Sequence, residues 1–334
     1  MKVFIQIPCY NEEATLEETI NDLPRELPGV EQVCILIADD GSTDNTVELA
    51  KKLGVDYIVT HRHNVGLARN FQDALDACLY LGADIIVNTD GDNQYRGDHI
   101  HRIVEPIVNG EQDYVVGCRD IKGHVEFSPM KKQLQLLGSF VLRQISNTSI
   151  PDATSGFRAM HKDTAIKLNV LNKFSYTLET LIQTGNSDTK IGHVPIGVNS
   201  KTRKSRLFKS IPQFVSRQVT TMLRMFAFYA PVKFFGGLSL MFFLMALLSG
   251  LWGSFGECPI ANTSIGCGTL SSMITIVFFA MGFFSIISGI LAANLANVRQ
   301  MLNAQSTRLK YDRLANKIHP PINIIDCKQQ AEIQ

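Results

Sequence analysis

Short apolar runs alternate with amphipathic stretches along the first part of the chain. Residues 3–7, 33–38, 57–59, 85–87 and 114–116 are rich in Val, Ile and Tyr, are bounded by polar clusters, and predict strands. Residues 13–23, 45–53, 67–81 and 99–108 place apolar side chains at helical spacing and predict helices. Strands that are apolar throughout are buried on both faces. Their alternation with helices predicts an α/β fold: a mostly parallel, Rossmann-like sheet with helices on both faces.

The pattern then changes. A helix is expected over 131–145, with Leu134, Leu137, Val141 and Ile145 on one face. Residues 152–158, Asp-Ala-Thr-Ser-Gly-Phe-Arg, read as a polar loop, and 195–207 as a basic one. Over 207–226, Phe208, Ile211, Phe214, Val215, Val219, Met222 and Phe226 recur at helical spacing, interleaved with Lys209, Arg217 and Arg224. That pattern predicts an amphipathic helix lying on an anionic membrane surface. Two long runs follow, 234–252 and 270–296, the second with no charge at all. Each is long enough to cross a hydrocarbon core of ~30 Å.

Net charge is +1, so bulk charge says nothing about partners, and no nucleic-acid partner is expected. The distribution of charge says more. Between Thr189 and Gly256 there is no Asp or Glu but there are nine Lys and Arg. Basic residues precede the first apolar run and return after the second at Arg299, Arg308 and Lys310. The positive-inside rule then places both the N-terminal domain and the C-terminal tail in the cytoplasm, as parts of an integral protein of the plasma or inner membrane. The first residues do not read as a signal peptide. Cys9, Cys34, Cys78 and Cys118 fall in apolar patterns and read as reduced core thiols. Cys258 and Cys267 share the connector between the runs, where pairing stays open.

In a parallel sheet the ligand sits beyond the carboxyl ends of the strands. Three polar clusters fall there: Cys9-Tyr10-Asn11-Glu12-Glu13, Asp39-Asp40-Gly41-Ser42-Thr43-Asp44, and Asp90-Gly91-Asp92-Asn93-Gln94. Asp90, Asp92 and Gln94 offer hard oxygen ligands on alternate residues, a set suited to Mg²⁺ or Mn²⁺ and to substrate phosphates. An acidic turn alone would read the same way. Three acidic clusters converging on one edge, however, repel one another unless a cation joins them. Neither a dinucleotide-binding nor a P-loop fingerprint occurs, so phosphate neutralisation falls to the metal.

These clusters, with Asn64-Val65-Gly66-Leu67-Ala68-Arg69, Gly117-Cys118-Arg119, residues 152–158, and Pro195 followed by Lys204-Ser205-Arg206-Leu207, resemble a known family. The chain resembles family 2 glycosyltransferases of GT-A fold, of the dolichol-phosphate mannose synthase and bactoprenol (undecaprenyl-phosphate) glucosyltransferase type. The resemblance covers roughly 2–230, and the two apolar runs fit the bactoprenol branch. It implies transfer of one sugar from a nucleotide sugar to a polyprenyl phosphate at the cytoplasmic face. By position it implies that Pro8, Tyr10, Glu12, Asp39, Asp40 and Arg69 bind the nucleotide. Asp90, Asp92 and Gln94 would bind metal and diphosphate, and Arg119, Lys131, Arg203 and Arg206 the acceptor phosphate. Asp152 joins Asp90 and Asp92 as a candidate catalytic group. One departure stands out: the family's Arg-x-x-Gly-x-Ser-Lys pattern appears here as Lys-Thr-Arg-Lys-Ser-Arg over 201–206, shorter and without its Gly.

The implied organisation is a GT-A domain over 1–206, a juxtamembrane helix over 207–228 and spans over 229–253 and 269–297. A connector over 254–268 and a cytoplasmic tail over 298–334 complete it. Association with a second copy of the chain is left open. A processive polysaccharide synthase is the nearest rival. Those enzymes carry Gln-x-x-Arg-Trp, and the single Trp here, Trp252, lies in an apolar run. A scaffold with a degenerate transferase domain would not need Asp90, Asp92, Gln94 and Asp152. A transporter would need polar groups within its spans.

Overall fold

The computed structural model describes residues 1–120, 143, 145–170, 176–199, 219–220, 223–255 and 267–328. The chain divides into two compact units: Met1–Phe214 with Asn303–Gln334, and Val215–Leu302.

The first unit is built on a mixed eight-stranded sheet of order β7-β5-β6-β4-β1-β2-β3-β8. β1 (Lys2–Cys9) is central and pairs in parallel with β2 (Gln32–Asp39) and β4 (Ile85–Asn88). β3 (Tyr57–Thr60) extends the sheet in parallel beyond β2. All four strands and β5 (Tyr114–Arg119) fall where the apolar runs predict them. So do α1 (Glu13–Asp22), α2 (Thr46–Lys52), α3 (Leu67–Tyr80) and α4 (Ile100–Val108). Alternation along β1 sends residues to opposite faces. Val3, Ile5 and Ile7 share one core with Leu16 and Ile20 of α1 and with Ile100, Ile103 and Ile107 of α4. On the other face Gln6 meets Cys78 of α3. The unbroken apolar runs of β1 and β2 are thus the mark of strands covered on both sides.

Three strands were not legible as apolar runs. β6 (Arg158–His161) inserts antiparallel between β4 and β5. β7 (Ile191–Ile196) pairs in parallel with β5, so Pro195, read as the start of the basic loop, ends a strand instead. β8 (Asn323–Asp326) adds antiparallel to β3 from the far end of the chain. The first unit also contains α5 (Lys162–Ala165) and α6 (Tyr176–Gly185).

The second unit contains α7 (Pro231–Phe255) and the larger part of α8 (Cys267–Ala315), whose residues from Asn303 on belong to the first unit. Both helices are long and apolar enough to cross a membrane. Leu244, Phe284 and Leu295 are 52, 69 and 70 % exposed, which a soluble core helix would not tolerate. The helices pack antiparallel. Ser249 Oγ lies 2.8 Å from Thr275 Oγ1, and Phe243 meets Phe279 at 5.3 Å between ring centroids. Interhelical hydroxyl contacts of this kind are the usual polar adhesive between apolar helices. The sequence marked the second run only to Ala296, but α8 continues to Ala315.

The described parts of the expected amphipathic helix, 219–220 and 223–229, are helical, with Leu223 exposed and Met225 buried. The rest of that helix, most of the helix expected over 131–145, Lys131, Arg203 and Arg206 lie outside the described residues. So do Cys258 and the side chain of Cys267.

Candidate active site

Parallel pairing fixes where the polar clusters emerge. Cys9 is in register with Asp39, and Gln6 with Asn88, so the loops after β1, β2 and β4 leave one edge together. They are tied to each other by backbone–side-chain bonds. Asn11 N donates to Ser42 Oγ (2.9 Å), and Thr43 N to Asn11 Oδ1 (2.8 Å). Thr15 Oγ1 donates to the Gly91 carbonyl (2.9 Å). Asp44 accepts the amides of Thr46 (3.1 Å) and Glu13 (3.3 Å), joining the first turns of α2 and α1. Gly41 adopts φ +71°, and a Cβ there would lie 2.7 Å from the His63 carbonyl carbon. Only glycine lets the loop after β2 approach the one after β3 so closely.

The acidic convergence expected from the sequence bears on Cys9. Its thiol is pushed well up, first by burial and then by the negative charges of Glu12, Asp39, Asp44 and Asp90. Asp90 itself is held by a relay running through the sheet. Gln6 Nε2 donates to Asn88 Oδ1 (3.0 Å), Asn88 Nδ2 to the Tyr176 hydroxyl (3.0 Å), and that hydroxyl to Asp90. Gly156 backs the same carboxylate; a Cβ there would lie 3.0 Å from Asp90 Oδ1. The Asp90 pKa rises to about 7, chiefly through burial and then through the charge of Asp92. Two carboxylates that cannot both ionise cheaply fit a divalent cation, which would take the place of the retained proton. Among the described residues no group of three or more His, Cys, Asp or Glu is placed to enclose an ion. Two carboxylates with the Gln94 amide would leave coordination positions for phosphate oxygens and water, as Mg²⁺ sites do.

The 90–94 loop also has a fixed neighbour. Asn93 takes φ +53°, Asn199 Nδ2 donates to its carbonyl (3.0 Å), and Asn199 N donates to the Gln94 carbonyl (2.9 Å). Tyr95 bridges to Val198. The chain therefore leaves for the basic stretch directly from the Asp-x-Asp loop.

Arg119, at the end of β5, does not stand free. Its Nε and Nη2 donate to Asp152 Oδ2 (2.7 Å) and Oδ1 (3.1 Å), and Nη2 also to Thr154 Oγ1 (3.1 Å). Asp152 is fully buried. Burial would raise its pKa, but the Arg119 charge and hydrogen bonds outweigh this and hold the carboxyl below its usual range. The next charged residue, Arg158, is also fully buried and donates to neutral oxygens: Ser155 O, Ala153 O, Tyr114 Oη, Thr177 O and Thr180 Oγ1, at 2.6 to 2.8 Å. It braces the 152–158 loop from within.

Among the remaining sequence candidates, Tyr10 is exposed and Pro8 buried. Asp39 accepts from Ser42 N (3.2 Å), and Asp40 from Val65 N (2.6 Å) and Gly66 N (3.1 Å). The Asp40 pKa is raised by burial in spite of those bonds. Glu12 accepts from Thr15 Oγ1 (3.2 Å). Arg69 pairs with Asp73 (2.9 Å) on α3. Sequence reasoning missed Asn88, Tyr95 and Tyr176. Tyr95 accepts from Gly156 N (2.9 Å), stacks on Phe157 and lies beneath the Arg119 guanidinium. No motif marks them, since a buried Tyr reads as core.

Residues 4–168 match the family model "Glycosyl transferase family 2". A UDP-N-acetylglucosamine–dolichyl-phosphate N-acetylglucosaminyltransferase of Methanococcus voltae is 32 % identical over 219 residues, covering 58 % of this chain and 84 % of that protein. An undecaprenyl-phosphate mannosyltransferase of Micrococcus luteus is 26 % identical over 206 residues, covering 59 % of this chain and 83 % of that protein. Among solved structures, glucosyl-3-phosphoglycerate synthase from Mycobacterium tuberculosis, crystallised with Mn²⁺, UDP and phosphoglyceric acid, superposes with a TM-score of 0.52 at 21 % identity. That superposition covers 66 % of this chain and 77 % of that one. The fold is therefore a GT-A-like α/β sheet followed by two apolar helices able to cross a membrane. The chain belongs to glycosyl transferase family 2.

Proposed function

We propose that this glycosyltransferase moves one sugar from a nucleoside-diphosphate sugar to a polyprenyl phosphate at the cytoplasmic membrane face. The observation that carries the reading is the bonding of Asn199 to Asn93 and Gln94. It sets the start of the basic stretch that leads to the apolar helices against the Asp-x-Asp loop. A donor diphosphate and a lipid-borne phosphate can then meet at one edge of the sheet. The names of the relatives support the same acceptor class. That of the Methanococcus voltae protein favours a UDP-linked donor.

Asp90, Asp92 and Gln94 would hold Mg²⁺ or Mn²⁺, which when bound acts as a Lewis acid toward the leaving diphosphate. Pro8, Tyr10, Glu12, Asp39, Asp40 and Arg69 line the nucleotide side, where Asp40 serves by fixing the 65–66 backbone. The reaction is a single in-line displacement with inversion at the anomeric carbon. A phosphate monoester, with a second pKa of ~6, is largely dianionic at neutral pH and needs no strong base. Asp152 then acts as a positioning residue that orients Arg119, and Lys131, Arg203 and Arg206 are the further cations proposed to bind the acceptor phosphate.

The test is transfer by purified protein in detergent, with undecaprenyl phosphate, Mg²⁺ or Mn²⁺ and a panel of radiolabelled nucleotide sugars. Label should enter the lipid phase with one donor. Asp92→Asn should abolish it, and near-normal turnover by that variant would remove the metal assignment. Arg203→Ala with Arg206→Ala should raise the KM for acceptor more than that for donor. An unchanged acceptor KM would move the phosphate site elsewhere.

A further inference from the structure

The second unit carries Arg217, Arg224, Lys233 and Arg299 but a single acidic residue, Glu257. Arg299 lies three residues past the second apolar run. Its guanidinium carbon sits 4.3 Å from the Phe228 ring centroid and 4.2 Å from that of Tyr229. The two rings meet edge to face at 81° and form a corner that the cation fills. No carboxylate joins it among the described residues, and its buried Nη1 has no hydrogen-bond partner. Phe228 and Tyr229 stand just ahead of α7, whose 25 residues are about 37 Å long, whereas Glu257 follows the other end of that helix. A guanidinium with an unpaired buried donor is a costly arrangement unless an anion completes it.

The surroundings define which anion. The helices on either side expose Leu, Ile and Phe, so the corner belongs at the boundary of a bilayer, where aromatic residues and snorkelling cations gather. We infer that Arg299, Phe228 and Tyr229 form a binding site for the phosphate group of a membrane lipid. The fork takes two phosphate oxygens, while the rings hold it in place and shield it from water. Two lipids carry that chemistry at this height: an anionic phospholipid, or a polyprenyl phosphate.

The test is lipid retention by the full-length protein in neutral detergent, read by native mass spectrometry. Phosphatidylglycerol, undecaprenyl phosphate and phosphate-free diacylglycerol are titrated separately. Arg299→Gln should weaken retention of at least one phosphate lipid by about ten-fold and leave diacylglycerol unchanged. Loss confined to phosphatidylglycerol identifies a phospholipid site, and loss confined to undecaprenyl phosphate identifies a site for a polyprenyl phosphate. Loss of both identifies a shared one. Phe228→Leu and Tyr229→Leu keep the charge and remove the corner. They should weaken the same lipid by a few-fold, and they carry the test if Arg299→Gln does not fold. Equal retention of both phosphate lipids by wild type and variants would overturn the site, as would an equal loss of diacylglycerol.

Discussion

Both oxygens of Asp152 accept from the Arg119 guanidinium, and the carboxylate has no exposure to water. A group in that state is a weak base at neutral pH, because the folded protein favours its charged form. The sign of the pH effect follows. A depressed carboxyl contributes stability that is present above its unfolded pKa of ~3.9 and is lost as pH falls through the lower folded value. Asp152→Asn should therefore cost about 3–5 kcal/mol between pH 5 and 8, by leaving Arg119 unpaired. The difference from wild type should shrink as pH falls below the unfolded carboxyl's pKa of ~3.9. Equal stabilities at pH 7, measured with urea, would show that the pair is not formed. Arg158 gives a second case. Lys cannot reproduce a planar fork meeting oxygens on three sides, so Arg158→Lys should destabilise by about 3 kcal/mol in the same assay. Asp90 and Asp92 stand out in the sequence because oxygen ligands at short spacing suit a hard cation. Tyr176 and Asn88 do not, because their role comes from a relay across residues 88 positions apart.

Elements whose stability comes from an apolar face announced themselves, as β1, β2 and α4 did. β6 and β8 are different. Four residues each, they hold their places through pairing with strands that already exist, so no local pattern was needed. β8 covers the open edge of β3, and the residues after it anchor to Asp56. Cys327 N donates to the Asp56 carbonyl (3.0 Å), and Lys328 Nζ lies 2.6 Å from its carboxylate. Asp56 also accepts from Ile35 N (2.7 Å) and pairs with Arg25. Farther back in the tail, Lys310 on α8 pairs with Asp76 (3.0 Å) and donates to the Leu168 carbonyl (2.8 Å). A chain ending at Ala315 would expose the β3 edge, a template for strand addition from another copy. Its melting temperature should fall by roughly 5 °C, with concentration-dependent aggregation on heating. An unchanged thermal scan would show that β8 contributes nothing to the sheet.

The two ends of the chain belong to one compact unit, and α7 with the larger part of α8 belongs to the other. If the two helices cross a bilayer, their antiparallel course returns the chain to the side it left, in keeping with the pairing of β8 with β3. With basic residues at those ends, that side is predicted to be the cytoplasm. A membrane-impermeant maleimide should label Ala261→Cys in intact cells, in a background lacking Cys258 and Cys267. Glu31→Cys should be labelled only after permeabilisation. The reverse pattern would invert the orientation.

Chain-local physics was enough for the α/β alternation, the acidic clusters at strand ends, the two long apolar helices and the asymmetry of basic charge. Each of these is a property of neighbours in sequence: periodicity, ligand spacing or uninterrupted hydropathy. Tertiary structure alone decided that Arg119 and Asp152 are one ion pair rather than two separate groups. It also decided that Arg158 is an internal brace, that Tyr176 orients Asp90, that the tail supplies a strand of the sheet, and that Arg299 rests in an aromatic corner with no carboxylate beside it among the described residues. Those features depend on which groups burial brings together, and burial sets both the cost of an unpaired charge and the partners within reach.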